Sequence, residues 1–201
     1  MNGWAGRIVF EAIDRAALLW LGGWLMDPAE IQRLADAVRD VPDFPKPGIV
    51  FKDITPILGD GALFEISIRA LAEVAHGAKV NTIVGIDARG FIFGAAVAHL
   101  LGAGFVPIRK KGKLPWATEF EAYSLEYGDA EIEIHKDAVH PGERILVVDD
   151  LLATGGTASA ALKLIEKLGA ETVGVAFLIE LEFLKGRERL GDAPVEAILK
   201  Y

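Results

Sequence analysis

The chain has 201 residues, of which 52% are hydrophobic and 25% are charged, and its net charge is −8 at pH 7. This length suits a single domain with a sizeable core, and the acidic balance argues against nucleic acid as a partner, because nucleic-acid binding needs a basic face. The sequence contains no cysteine, which excludes disulfides, zinc–thiolate centres and cysteine nucleophiles.

Residues 1–25 differ in character from the rest of the chain. The apolar positions within residues 8–25 suit an amphipathic helix, but charges interrupt this run, which is too short to span a bilayer and lacks a signal-peptide cleavage site. We therefore expect a cytoplasmic protein without membrane contact. Asp27 and Glu30 predict a capping box at the start of a new helix just after Met26. Two interpretations stay open: residues 1–25 are an upstream translated segment before a start at Met26, or they form an extra helix that covers an apolar patch.

Strand and helix patterns alternate over residues 26–201, which we expect to form one domain. Such alternation predicts an α/β fold with a mostly parallel central sheet flanked by helices. A proline-rich, mostly extended and irregular segment is expected around residues 41–58. The predicted helices cover residues 28–39, 61–76, 90–101, 157–168 and 184–190, the predicted strands cover 82–86, 105–108, 144–148, 172–179 and 195–199, and a hairpin is predicted over 122–127 and 131–135.

The run over residues 144–157 predicts a binding site for a phosphate that also carries hydroxyls. Apolar residues form a buried strand, the adjacent acids Asp149 and Asp150 are expected to end it, and a glycine-containing loop opens into a helix. Free N–H groups at a helix N-terminus bind phosphate, whereas two neighbouring acids repel it unless the ligand also brings hydroxyls or a metal. The loop is not a Walker A motif, since no Gly-Lys-Ser/Thr follows its glycines.

Two further loops follow predicted strands, and ligands of open α/β sheets lie beyond the carboxyl ends of strands. Residues 87–90 place Arg89 at one such end, where its guanidinium can bind a phosphate in a forked geometry. Residues 109–113 carry four cations in five positions. Either feature alone is usually a surface charge, but together, in an acidic protein, they suit a pyrophosphate.

These motifs together resemble a known enzyme family. Residues 147–157 are similar to the phosphoribosyl-pyrophosphate signature of the type I phosphoribosyltransferases. Further segments resemble the adenine-specific members of that family, beginning with their N-terminal hood, and the resemblance extends from about residue 28 to the C-terminus. It implies the type I phosphoribosyltransferase fold with a hood around residues 41–58, a C-terminal part over 181–201, and a homodimer. The resembling segments are residues 43–56, 85–91, 109–115, 123–128 and 184–188.

The resemblance implies a reaction of purine salvage, in which adenine and 5-phosphoribosyl 1-pyrophosphate give AMP and pyrophosphate with Mg²⁺ as cofactor. Displacement at the anomeric carbon of a sugar passes through an oxocarbenium-like state, and the leaving pyrophosphate builds up negative charge that cations stabilise. Because Mg²⁺ binds substrate phosphates with few protein ligands, we expect it to be held mainly through the substrate's pyrophosphate and ribose hydroxyls.

The resemblance also assigns roles to the residues that bind phosphoribosyl pyrophosphate and AMP. It places the ribose hydroxyls on Asp149 and Asp150 and the pyrophosphate on Arg89, Lys113 and Lys110. The residues expected around the 5′-phosphate are Ala153, Thr154, Gly155, Gly156 and Thr157.

A second group of residues is expected at the base and at the reacting bond. Glu126 is the candidate acid or base that moves the purine proton, and Tyr127 is expected to close over the site as part of a lid over residues 111–127. The resemblance places adenine between Phe51 and Leu181. The edge of the adenine would be read by the main-chain groups of Val50 and Lys52.

Two other functional classes remain as alternatives. The first is a type I phosphoribosyltransferase that acts on xanthine, hypoxanthine or orotate, against which the hood and residues 123–128 argue. The second is a binding module that senses phosphoribosyl pyrophosphate, such as a transcription regulator. That class needs a DNA-binding segment, and residues 1–40 contain no basic recognition helix.

Overall fold

The computed structural model describes residues 26–125 and 128–201. Within them, the predicted alternation of strands and helices is confirmed, while both interpretations of residues 1–25 lie outside the described residues. In chain order the elements are α1 (Pro28–Ala37), β1 (Arg39–Pro42), β2 (Val50–Asp53), α2 (Thr55–Gly59), α3 (Gly61–Glu73), β3 (Thr82–Ile86), α4 (Arg89–Leu101), β4 (Gly104–Lys110), β5 (Thr118–Leu125), β6 (Gly128–His135), β7 (Arg144–Leu152), α5 (Gly156–Lys167), β8 (Glu171–Glu180), 3₁₀ segments at Glu182–Leu184 and Gly186–Arg189, and β9 (Val195–Lys200).

Seven strands form the central sheet, in the order β5-β6-β4-β3-β7-β8-β9. The five strands from β4 to β9 in this order run parallel, and the β5–β6 hairpin continues the sheet in antiparallel pairing from β4. Because β3 lies between β4 and β7, the chain first extends the sheet to one side of β3 and later to the other. The carboxyl ends of β3 and β7 therefore flank a topological switch point, where α/β sheets bind their ligands.

The core has one layer on each face of the sheet. On one face, Ile83, Leu146 and Val148 pack against the apolar sides of α1, α3 and α4. On the other face, Val84 and Val147 pack against α5 and the β5–β6 hairpin. This alternation follows the two-residue period of a strand, and it fixes α4 and α5 on opposite faces of the switch point. No helix in the described part of the chain combines the length and the apolar character that a bilayer crossing requires.

The start of α1 differs from the sequence-based expectation. The Asp27 side chain caps the helix by accepting the Ala29 N–H at 2.9 Å, as predicted. Glu30 does not complete a capping box, because its two carboxylate oxygens accept hydrogen bonds from Arg69 at 2.6 and 3.2 Å. Paired charge-assisted bonds to a guanidinium are stronger than a bond to one main-chain amide, so Glu30 ties α1 to α3 instead.

The expectation that Asp149 and Asp150 end their strand is wrong. Strand β7 continues to Leu152, and its pairing with β8 extends to the last residue of each strand. Its pairing with β3 stops at Val148, opposite Gly85. The acids therefore lie on the part of β7 that projects beyond β3, where one edge of the strand faces the crevice.

Two further predictions of secondary structure differ from the observed elements. The segment around residues 41–58 is less irregular than expected, since it contains part of the antiparallel β1–β2 pair and the short helix α2. The helix predicted over residues 184–190 is replaced by the two 3₁₀ segments. They are separated at Lys185, whose φ of 52° lies in the left-handed region and interrupts a helix.

Candidate active site

Two neighbouring carboxyl groups lie at the switch point. Asp150 is only 5% exposed, and its Oδ2 lies 2.7 Å from Nε of Arg89, the first residue of α4. Asp149 accepts the N–H of Asp150 at 2.9 Å. Burial and then the charge of Asp150 raise the pKa of Asp149 well above its usual value. Burial also raises the pKa of Asp150, although the Arg89 guanidinium opposes this shift. The pair thus favours ligands that bring hydroxyl donors or positive charge.

A close approach between α4 and β7 places Arg89 beside these acids. A Cβ atom on Gly90 would lie 2.7 Å from Oδ1 of Asp149 and 3.0 Å from the carbonyl oxygen of Val148. Only glycine allows main chain to pass so near another strand. The first turn of α4 therefore lies directly against the acidic part of β7.

The loop between β7 and α5 presents main-chain donors at the same edge of the sheet. Gly155 precedes the helix with a left-handed φ of 78° and supplies no side-chain cap. Its carbonyl accepts the Ser159 N–H at 2.9 Å, which begins the helix. The N–H groups from Thr154 to Thr157 donate to no other described residue. Free amides at the N-terminus of a twelve-residue helix suit an anion, which is the type of ligand that the sequence predicts for this loop.

Gly186 supports this loop, and sequence reasoning assigned it no role. A Cβ atom on Gly155 would overlap the carbonyl oxygen of Gly186, and a Cβ atom on Gly186 would overlap the carbonyl oxygen of Ala153. The second 3₁₀ segment, which begins at Gly186, is thus in backbone contact with the loop. The resemblance over residues 184–188 was the only sequence signal for this contact.

The basic loop at the end of β4, residues 109–113, contains two kinds of cation. Some are paired within the protein, and others, within the described part of the chain, remain free to bind a ligand. Nε of Arg109 lies 3.2 Å from Oδ2 of Asp87, and its Nη1 donates to the Lys113 carbonyl at 3.2 Å. Arg109 therefore joins the loops that follow β3 and β4. Lys111 pairs with an acid of β6 at 2.9 Å. The exposed ammonium groups of Lys110 and Lys113 form no ion pair with any described residue, which leaves them available to an anion.

The hood places an aromatic ring beside the acid–arginine pair. The Arg89 guanidinium carbon lies 5.6 Å from the centroid of the Phe51 ring, a cation–π geometry. Phe44 packs edge-on against Phe51 with a centroid distance of 5.3 Å. The ring of Phe51 therefore belongs to the same cluster as Arg89 and Asp150.

The other three residues expected at adenine differ in their surroundings. The Lys52 ammonium binds Asp40 at 2.6 Å and lies 3.9 Å from the centroid of the Tyr201 ring, so this side chain is engaged within the protein. The N–H of Leu181 donates to the Leu152 carbonyl at 2.9 Å, which holds Leu181 next to the end of β7. Val50, at the start of β2, is half exposed.

The expected acid or base and its neighbour lie outside the described residues. Glu126 and Tyr127 follow Leu125, which pairs with Gly128 across the β5–β6 hairpin. Their expected roles therefore stay predictions.

The donor chemistry of the crevice suits Mg²⁺. Within residues 26–125 and 128–201, no three His, Asp or Glu side chains converge as a metal-binding group. The carboxyl groups of Asp149 and Asp150 are hard oxygen donors, and burial is the main cause of their raised pKa values, so a nearby cation would favour their ionised forms. This arrangement fits a cation that takes most of its ligands from substrate and water.

Known proteins are similar in sequence to this chain over nearly its whole described length. The profile of the phosphoribosyl transferase domain matches residues 57–193. An adenine phosphoribosyltransferase of Methylobacterium sp. (strain 4-46) is 53% identical over 178 residues, which are 88% of this chain and 98% of the relative. The enzyme of the same name from Acidothermus cellulolyticus is 56% identical over 176 residues, which are 87% of this chain and 99% of the relative.

Solved structures give the same result. The crystal structure of adenine phosphoribosyltransferase from Rhodothermus marinus has 52% sequence identity and a TM-score of 0.83, over 87% of this chain and 100% of that one. The Saccharomyces cerevisiae enzyme, complexed with an imino-altritol bisphosphate and adenine, has 43% identity and a TM-score of 0.81, over 85% of this chain and 99% of that one. The expected type I phosphoribosyltransferase fold is thereby confirmed, and the chain belongs to the adenine phosphoribosyltransferases within the phosphoribosyltransferase family.

Proposed function

We propose that the chain transfers the phosphoribosyl group of 5-phosphoribosyl 1-pyrophosphate to adenine and releases AMP and pyrophosphate. The observation that carries this proposal is the convergence of three chemistries at one sheet edge. Free loop amides suit a phosphate, the acid pair of Asp149 and Asp150 suits hydroxyls, and the available lysines suit a pyrophosphate. The relatives named above support adenine as the base.

Three parts of phosphoribosyl pyrophosphate bind to three different groups of residues. The 5′-phosphate binds the amides of residues 153–157 and the hydroxyls of Thr154 and Thr157. The ribose hydroxyls donate to the acid pair. Pyrophosphate binds Lys110, Lys113 and the N–H groups of Arg89 beyond its paired Nε.

The reaction breaks the bond from the anomeric carbon to a pyrophosphate oxygen and forms a bond from that carbon to N9 of adenine. The carbon becomes cationic between these events, and the carboxylates of Asp149 and Asp150 face that charge through the ribose. Glu126 accepts the proton that leaves the purine. Tyr127 and the hairpin exclude water, which would otherwise capture the sugar cation.

Magnesium would be held mainly by pyrophosphate oxygens and ribose hydroxyls, with Asp149 and Asp150 behind those hydroxyls. When bound, it would neutralise the charge that builds up on the leaving group.

Base selection rests on the hood and the end of β8. Adenine stacks between Phe51 and Leu181, and the main-chain groups of Val50 and Lys52 pair with its amino edge. The engaged Lys52 side chain supports a role for its main chain alone. Bases with a carbonyl at that edge leave polar groups unmatched and are rejected.

We assign a homodimer and a cytoplasmic location by family analogy, and we assign catalysis to residues 26–201. A chain shortened to begin at Met26 tests the last assignment. It should retain the activity and the melting temperature of the full chain if residues 1–25 are an upstream translated segment. A large loss of either supports the alternative of an extra helix that covers an apolar patch.

A spectrophotometric assay with Mg²⁺ and phosphoribosyl pyrophosphate tests the main proposal. Adenine should be converted to AMP, while hypoxanthine, guanine, xanthine and orotate should show little turnover. Preferred turnover of another base would identify a different phosphoribosyltransferase. Binding of phosphoribosyl pyrophosphate without turnover of any base would indicate a sensor.

A further inference from the structure

A buried carboxylate lies beneath the basic loop. Glu133 of β6 is 4% exposed and pairs in register with Arg109 of β4 and Phe120 of β5. Glu133 forms no ion pair with any described residue. A buried charge without a counter-ion is costly unless hydrogen bonds replace the lost water, so its partners indicate its role.

All described hydrogen-bond partners of the Glu133 side chain lie in the basic loop or shortly after it in the chain. Its Oε1 accepts the N–H groups of Lys113 and Leu114, each at 2.9 Å, and its Oε2 accepts the Thr118 hydroxyl at 3.1 Å. Burial by itself would raise the pKa of Glu133, but the bonds from Leu114, Thr118, Lys113 and Gly112 outweigh it and lower the pKa below its usual value. The carboxylate is therefore ionised at neutral pH.

These bonds determine the path of the loop. The turn passes through Gly112, whose φ of 82° lies in the left-handed region, and the amides after it point at one carboxylate. The carbonyl of Lys113 meanwhile accepts from Arg109, which pairs with Asp87. The main chain of Lys113 is thus held on both sides, while its ammonium is exposed. The first part of the lid expected over residues 111–127 is therefore anchored to the sheet.

We propose that Glu133 is a positioning residue for pyrophosphate: its carboxylate shapes the basic loop so that the Lys113 ammonium faces the leaving group. This inference rests on the proposed function, because it takes pyrophosphate as the ligand of Lys113. Glu133 itself does not touch the substrate in this scheme.

The sign of a mutational effect separates this role from simple electrostatics. Glu133→Gln removes a negative charge close to an anion site, so a purely Coulombic effect would tighten pyrophosphate binding. A positioning role predicts the opposite, because a neutral amide oxygen binds the Lys113 and Leu114 N–H groups more weakly than a carboxylate does, and the amide NH₂ cannot accept the Thr118 hydroxyl proton. The direction of the change in affinity is therefore diagnostic.

The experiment measures pyrophosphate and AMP binding by calorimetry with Mg²⁺, together with the KM values of both substrates. For Glu133→Gln we expect the Kd of pyrophosphate and the KM of phosphoribosyl pyrophosphate to rise about tenfold, the scale of losing a hydrogen bond to a charged group. The Kd of AMP and the KM of adenine should change less than about twofold. Unchanged or tighter pyrophosphate binding, or equal weakening of all four ligands, would overturn the proposal.

Two further variants complete the test. Glu119→Gln is the matched control, since Glu119 lies in β5 and its carboxylate pairs with Lys136 at 3.7 Å instead of accepting the hydrogen bonds of the loop; its ligand affinities should equal those of the wild type. Lys113→Ala should weaken pyrophosphate binding, and adding Glu133→Gln to it should cause little further loss. A full additional loss in the double variant would contradict action through Lys113.

A milder variant covers the case in which Glu133→Gln does not fold. Thr118→Val removes one bond to the carboxylate and should weaken pyrophosphate binding about threefold with AMP unaffected; no selective change would overturn the proposal. If the wild type itself fails to bind pyrophosphate, the proposed function fails. If the wild type binds it and the variants behave like the wild type, only the role of Glu133 fails.

Discussion

The backbone of Gly186 lies so close to Gly155 that a Cβ atom on either residue would overlap the main chain of the other segment. The proposed phosphate-binding loop is therefore shaped by a 3₁₀ segment about thirty residues later in the chain. Because the proposed phosphate donors are main-chain amides, their directions depend on this contact.

Gly186→Ala should disturb the loop without altering any group that binds the ligand. The added methyl group must displace the Ala153 carbonyl. We expect the KM of phosphoribosyl pyrophosphate to rise about tenfold and the free energy of unfolding to fall by about 1–3 kcal/mol, as for other overpacked sites. Steady-state kinetics and denaturant titration measure both effects. Gly61→Ala is the control, since a Cβ atom there meets no atom within 4 Å; equal effects in the two variants would contradict the assigned role.

The acid pair predicts opposite effects of one substitution on stability and on activity. The raised pKa of Asp149 means that the folded chain keeps this proton to a higher pH than the unfolded chain. The free energy of unfolding therefore falls as pH rises from the ordinary aspartate range through the raised pKa. Asp149→Asn removes the ionisation. Its melting temperature should exceed that of the wild type, by more at about pH 8 than at about pH 4.

The same variant should lose activity, because a neutral amide cannot stabilise the cationic sugar. We expect kcat/KM to fall at least about 100-fold, the scale of losing one preorganised electrostatic group. Asp137→Asn, at an exposed turn, is the control for the loss of one charge. Should Asp149→Asn melt below the wild type at high pH, the raised pKa assigned to the buried Asp149 carboxyl would be wrong.

Local sequence predicts which chemical groups form this site better than it predicts the tertiary contacts that position them. The paired acids, the glycine loop and the basic run are each a short continuous stretch of sequence, so their residue types already indicate a ligand with phosphate, hydroxyls and pyrophosphate. The extension of β7 through Asp149 and Asp150 depends on hydrogen bonds to β8, which lies beyond the next helix. A rule based on neighbouring residues therefore ends the strand too early.

Long-range contacts explain the other differences from the sequence-based expectations. Glu30 satisfies the local capping pattern, but a guanidinium 39 residues away takes its carboxylate. Glu133 looks like one of the outward polar residues of a hairpin, and only the folded loop shows that its charge is buried beneath three main-chain and hydroxyl donors. Such partners depend on tertiary structure, which no local pattern encodes.

Glu126→Ala tests the candidate acid or base. Loss of a group that moves the purine proton should lower kcat about 100-fold while the Kd of AMP changes little. Product release limits turnover in many enzymes, so the rate is measured in a single turnover with enzyme in excess. Glu131→Ala is the control on the same hairpin, where the side chain pairs with Lys111. An unchanged single-turnover rate for Glu126→Ala would exclude the catalytic role.

The proposed adenine site predicts different results for two neighbouring residues of β2. Phe51→Ala removes the ring proposed to stack on adenine, so the KM of adenine should rise at least about tenfold, in line with the loss of an aromatic stacking surface. Lys52→Met keeps the main chain and should leave that KM within about twofold, because the ammonium is engaged by Asp40 and Tyr201. Its cost should be limited to about 0.5–1 kcal/mol of stability, since Asp40 is largely exposed. A large rise in the adenine KM for Lys52→Met, with phosphoribosyl pyrophosphate unaffected, would show that the side chain contacts the base.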